Sequence, residues 1–255
     1  MMKGQCARLC RAALAGLVAG CGSNGGAGDT REIGMEQAAA VQAAPNTLTA
    51  RELTEGWRML FDGATTAGWR SYRGTTPAEG WQVVDGALTR VAAGGDIVSV
   101  DTFDDFELRI DWNVSQGGNS GVFFRANETT DFVWQNSPEV QVLDNAAHRD
   151  GLTPETSAGS NYALHAPAQD ASRPAGEWNE VRLIVRGPHV EHWMNGVKIV
   201  EYELWSDDWK ARVAASKFNE TPAYGQAKSG HITLQDHGDR VAFRNIKIRS
   251  LTGTR

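Results

Sequence analysis

Cysteine is confined to the first 21 residues of this 255-residue chain, at Cys6, Cys10 and Cys21. Everything after Cys21 therefore folds without a thiol, which excludes a disulfide framework, thiolate-bound zinc and a cysteine nucleophile there. Basic residues are also scarce, 25 Lys and Arg against 31 Asp and Glu. Without Lys3, Arg8 and Arg11 the basic count falls to 22 and the formal charge from −6 to −9. That balance argues against nucleic acid as a partner, because phosphate binding needs a basic footprint. After the N-terminal segment no apolar run approaches the ~20 residues of a membrane helix. No segment carries a sustained helical period with caps. No Gly-x-Gly-x-x-Gly stands between a strand and a helix, so no nicotinamide or flavin fingerprint is present.

The N-terminus reads as a targeting segment. Lys3, Arg8 and Arg11 precede a short apolar stretch over residues 12–19, too brief to span a bilayer. Val18-Ala19-Gly20-Cys21 then resembles a bacterial lipobox, whose cysteine becomes the lipidated first residue after cleavage. The expectation is a lipid anchor on Cys21, each buried methylene contributing about 0.8 kcal/mol. Gly22, not Asp, follows the cysteine, so the expected location is the cell envelope at the outer membrane, with membrane contact through the anchor only. An ordinary secretory signal is the alternative. Residues 22–49 are rich in Gly, Ala, Ser and Gln and read as a flexible tether. Residues 50–255 are then one domain, long enough to bury a core.

Strand signals dominate that domain. Phe106-Glu107-Leu108-Arg109-Ile110-Asp111-Trp112 alternates strictly, residues 181–186 alternate too, and residues 241–248 read as a closing strand. Residues 81–88 carry an Asp-Gly turn. Asn195-Gly196 separates two alternating runs, the strongest short-range hairpin signal, because a type I′ turn needs positive φ at both central residues. The prediction is an all-β, two-sheet sandwich, a jelly roll. Trp57, Trp81, Trp112 and Trp193 lie in strand patterns and are expected in the core. Trp134, Trp205 and Trp209 lie in polar, loop-like surroundings where an aromatic face can stack on a sugar. His189, His192 and His231 read as surface strand residues.

Three strand ends carry the chemistry. In Pro138-Glu139-Val140-Gln141-Val142-Leu143-Asp144-Asn145 the polar positions share one face, so Glu139 and Gln141 point into a groove while Val140 and Val142 point to the core. Residues 118–125 run from Asn119 to Arg125, and residues 232–238 place Gln235 and His237 opposite Ile232 and Leu234. Together these suggest a polar, acid/base-capable sheet face suited to sugars. The bland readings are a cross-strand Arg125–Glu139 ion pair, an Asx-turn at Asp144-Asn145 and His237 as a turn residue.

Five segments resemble one family: "LFDG…GW" at residues 60–69, "GGNSGVFFR" at 117–125, "EVQVLDN" at 139–145, the Gly176-Glu177-Trp178-Asn179 lead-in to the hairpin, and "LQDHGDRVAFRNIKI" at 234–248. They are similar to the 3-keto-disaccharide hydrolase family, with its concanavalin-like jelly roll. The resemblance implies cleavage of glycosides or disaccharides already oxidised at C3. A C3 carbonyl acidifies the C2 proton; its loss lets the C1 substituent leave, and water adds back. Such a site needs a base, an oxyanion stabiliser and an acid. The candidates are His237 as base or proton shuttle, Glu139 and Asp144 as acid or base, and Arg125 for the oxyanion. Asn119, Gln141, Gln235 and Trp134 are expected to hold substrate. A divalent cation is a possible substitute for Arg125, and a sugar 3-dehydrogenase must supply the oxidised saccharide.

Two alternatives stay open. A non-catalytic, envelope-anchored carbohydrate-binding module needs the same fold and platforms. A conventional glycosidase would use Glu139-x-Gln141-x-x-Asp144 as its carboxylate pair, although retaining chemistry places such carboxyls about 5–5.5 Å apart and Asp is a methylene short of Glu.

Overall fold

The structure, a computed structural model, describes residues 44–252. Cys6, Cys10, the lipobox, its Cys21 and most of the expected tether lie outside the described residues. Among the described residues, hydrogen bonds to the domain begin at Asn46, whose amide donates to the Gly86 carbonyl (2.8 Å) and whose backbone N–H donates to Asn245 Oδ1 (2.6 Å).

Two antiparallel sheets face each other. The larger orders its strands as β11 (Val197–Glu203), β10 (His189–Met194), β9 (Asn179–Arg186), β6 (Phe106–Val114), β13 (Val241–Ser250), β4 (Ala87–Arg90) and β3 (Trp81–Val84), with β1 (Arg58–Met59) also on β13. The smaller runs β2 (Trp69–Ser71), β5 (Ile97–Ser99), β12 (His231–Leu234), β7 (Asn119–Ala126), β8 (Glu139–Leu143). The core lies between them. Leu108, Ile110, Trp112, Leu183 and Phe243 of the larger sheet meet Val122, Phe124, Val140, Val142 and Ile232 of the smaller, all buried. This is the face-to-face packing of a sandwich. Both expected turns are present: Asp85-Gly86 has φ of 50° and 74°, and Asn195-Gly196 has 50° and 83°, positive at both positions as type I′ requires.

Four local expectations are corrected. His192 is not on the surface: it is fully buried on β10 beside Val190 and Met194, its Nδ1 3.0 Å from the Gly159 carbonyl. Burial pushes its pKa down to about 4, because desolvation disfavours imidazolium. Trp193, next along the strand, is half-exposed on the outer face beneath Arg182. The third is a helix, α1 (Asp207–Ala215), capped by Ser206 Oγ accepting from the Trp209 N–H. Asp207 and Asp208 in its first turn suit the positive end of the helix dipole. Its Trp209 is buried, stacked between Tyr202 and Tyr224, so it serves the core instead of a sugar.

Candidate active site

A cleft of about 560 Å³ opens over the smaller sheet, within the size range of small-ligand sites. Its floor comes from neighbouring strands. β8 supplies Glu139 and Gln141, β7 supplies Asn119, and the chain leaving β12 supplies Gln235, Asp236 and His237. Its walls are loops: residues 94–96 on one side, Phe132, Trp134, Tyr162 and Lys217 on another.

Glu139 is the best buried acid in the cleft, 6% exposed. Two features bury it. The free edge of β8 is covered by residues 159–162, which exchange backbone hydrogen bonds with Glu139 and Gln141. Next door on β7 stands Gly121, where a Cβ would come within 2.8 Å of Glu139 Cδ. Burial pushes the Glu139 carboxyl up to about 8, against the pull of Lys217. Gln141, with its amide nitrogen turned toward acceptors, donates to the Ser120 carbonyl (2.9 Å) and to Glu139 Oε1 (3.2 Å).

Asp96 is the second unusual acid. Burial, then the neighbouring Asp236, raises it to about 6, while its Oδ1 accepts from the Asp236 N–H (2.9 Å). Asp236 is held ionised by the N–H groups of Gly94, Gly95 and Gly238 and by Arg90 Nε (2.6 Å), so it organises the loop. His237 projects beside them, exposed at the cleft edge. Among the described residues, Asn119 Oδ1 and Gln235 Oε1 are buried acceptors without partners. Such groups are costly unless something donates to them, and sugar hydroxyls would. Trp134 stacks on Phe132 at the rim (6.2 Å, 17°).

The cleft thus gathers Glu139, Gln141, Asn119, Gln235, His237 and Trp134 of the expected residues, and leaves out two. Arg125 does not face Glu139. From the parity of Asn119, Gly121 and Phe123 it should, but β7 bulges against β12, where Phe123 pairs Thr233 and Ala126 pairs His231, and Arg125 takes φ 52°. The bulge turns the guanidinium toward the end of the larger sheet. There it donates to the carbonyls of Asp104 (2.9 Å) and Gly187 (2.8 Å), contacts Asp105 (3.2 Å) and lies over Trp205. Asp144 lines a separate cavity and accepts from the N–H groups of Gly117 (2.8 Å) and Ala146 (3.1 Å). It is the Asx-turn, and with Gln141 an amide the conventional carboxylate pair is not assembled.

The pattern gave no hint of Asp96, Tyr162 or Lys217. Lys217 opens a 3-10 turn just after α1 and lies over the ring of Tyr162 (4.3 Å); burial lowers its pKa while Glu139 and Asp150 oppose the shift. Burial first, then Asp150, raises Tyr162 to about 12, and its hydroxyl donates to Asp150 Oδ2 (3.2 Å). Among the described residues, metal-ligating atoms within 4.8 Å of one another group at His189, Glu191 and Glu201, on the hairpin of the larger sheet.

Comparisons with known proteins agree with this picture. The model of the 3-keto-alpha-glucoside-1,2-lyase-like domain matches residues 56–249. A curated 3-keto-disaccharide hydrolase of Bacteroides thetaiotaomicron is 31% identical, over 93% of this chain and 95% of its own length. A crystal structure from Parabacteroides distasonis, provisionally assigned as a glycosyl hydrolase, superposes with a TM-score of 0.76 at 34% identity, covering 82% of this chain and all of that one. A second from the same organism, with the same provisional assignment, gives 0.60 at 30% identity, covering 76% and 99%.

Proposed function

Because the chain belongs to the 3-keto-alpha-glucoside-1,2-lyase-like family, we propose that its cleft cleaves glycosides or disaccharides already oxidised at C3. The carrying observation is the pair of acids with separated proton affinities, Asp96 near 6 and Glu139 near 8. Groups whose environments push their pKa values apart supply an acid and a base at one pH.

At neutral pH Asp96 is largely ionised and Glu139 holds its proton. Asp96, or His237 beside it, takes the C2 proton. The electron pair left on C2 delocalises onto the C3 oxygen as an enolate. It then returns to form the C1–C2 double bond while the C1–O bond breaks, and the departing oxygen takes the proton of Glu139. Water adds at C1 and a proton returns to C2, so the net reaction is hydrolysis. Asn119 and Gln235 would accept hydrogen bonds from ring hydroxyls, and the Phe132–Trp134 pair would stack on a sugar face.

The reaction requires prior oxidation at C3, the work of a sugar 3-dehydrogenase acting in the same compartment. Lipidation of Cys21 would hold the enzyme at the cell envelope; mass spectrometry of the native N-terminus tests it, and an unmodified Cys21, or a native N-terminus beginning beyond it, rules the anchor out.

The reading is tested by offering the purified protein a 3-keto-glucoside and its unoxidised parent, with and without EDTA, and following aglycone release. Release from the keto sugar alone is expected. Release from the parent supports a conventional glycosidase. Binding without release from either, with metal resupplied, supports a binding module.

A further inference from the structure

The elimination needs an electrophile at the C3 oxygen, and Arg125, the sequence candidate, is occupied elsewhere. The cations near the cleft differ in one respect. Arg73 and Arg90 are each tied to a carboxylate, Asp131 (2.5 Å) and Asp236 (2.6 Å). Among the described residues, the Lys217 ammonium forms no ion pair. It lies over three ring faces instead, Tyr162 at 4.3 Å, Phe218 at 5.2 Å and Trp134 at 5.6 Å.

Such a seat has a specific chemical consequence. Ring faces attract a cation through their quadrupoles but accept its N–H groups only weakly. An ammonium has three donors and no acceptor, so this one retains strong donors for a ligand. The seat is built into the fold. Lys217 follows α1 after the single residue Ser216, and Trp209 of that helix is buried in the aromatic column running through Tyr224 to Phe218, whose rings stack at 3.8 Å. Tyr162 and Trp134, the other two walls, both line the cleft that holds Glu139.

We propose that Lys217 is the electrophile of the reaction, its Nζ donating to the C3 oxygen of the keto sugar as the C2 proton leaves. This rests on the elimination reading above. No charge is created or lost at the lysine. The negative charge gathering on O3 is met by a fixed positive one, and it disperses when the carbonyl reforms and the C1–O bond breaks. The arrangement also gives a reason for discrimination against the unoxidised parent, whose C3 hydroxyl develops no such charge.

The rival role is indirect, with Lys217 merely setting the proton affinity of Glu139. K217M and K217R separate the two when kcat and KM are measured across pH on a 3-keto-glucoside. A transition-state contact predicts a pH-independent kcat lowered by about 10²–10³-fold in K217M, as for other lost oxyanion donors. KM should change little, and K217R should recover part of the loss. A K217M plateau close to wild type, with only a pH limb displaced, would overturn the proposal and assign the indirect role. No turnover by wild-type protein would defeat the elimination reading itself, a result distinct from either.

Discussion

Gly121 and Glu139 fit together across β7 and β8: the side chain that one lacks is the space that the other fills, with a Cβ on Gly121 coming within 2.8 Å of Glu139 Cδ. The buried acid depends on that vacancy. Gly121→Ala should displace Glu139 and lower kcat/KM at least about 10-fold, the scale expected when a reacting group is misplaced. Steady-state kinetics on a 3-keto-glucoside check it; wild-type rates would show that Glu139 is not positioned by this contact.

Glu139 should cost stability. Its folded pKa, about 8, exceeds the roughly 4.3 of a free glutamate, so the folded state binds the proton more tightly. Stability should therefore fall as pH rises from about 4 to 8, each pK unit corresponding to about 1.4 kcal/mol. Glu139→Gln removes that contribution. Its melting temperature should match wild type near pH 4 and exceed it at pH 8. A variant less stable at pH 8 would mean that the ionised carboxyl is well satisfied.

The two acids also set the rate profile. Asp96 must be ionised and Glu139 protonated, which predicts a bell-shaped kcat/KM with limbs near 6 and 8. Asp96→Asn should abolish the acid limb and slow the reaction roughly 10²-fold or more. A rate undiminished in that variant would take the base role from Asp96.

Arg125→Met should act on the fold alone. Arg125 is 2% exposed, and its loss strands the part-buried carbonyls of Asp104 and Gly187 that it serves. A destabilisation of about 3 kcal/mol or more is expected from breaking a buried charged contact, with kcat of the folded fraction unchanged. Denaturant unfolding and active-fraction kinetics separate the two; a lost kcat at unaltered stability would return Arg125 to the chemistry.

Much of this was legible in the sequence, and the exceptions have physical causes. Alternation and the Asp85-Gly86 and Asn195-Gly196 turns report strands because a pleated strand has period two and a type I′ turn needs positive φ. Parity placed Glu139 and Gln141 correctly, and it also held the answer for His192, which shares parity with Val190 and Met194. It failed at Arg125 because a bulge reverses a side chain and leaves no mark in the alternation. α1 is short, and its Ser206-Asp207-Asp208 cap was its only local signal. Asp96 sits in a loop and Lys217 opens a 3-10 turn; long-range strand pairing and the aromatic column bring them to Glu139, and no sequence spacing encodes that.

The most direct test of the elimination is to run the reaction in D₂O and examine the released sugar. The account predicts one deuterium at C2 of the 3-keto product from its first appearance, above the exchange of authentic product incubated without enzyme. Release of a 3-keto sugar with C2 still fully protonated would contradict it, because the bond to C1 would then have broken without any C2 carbanion.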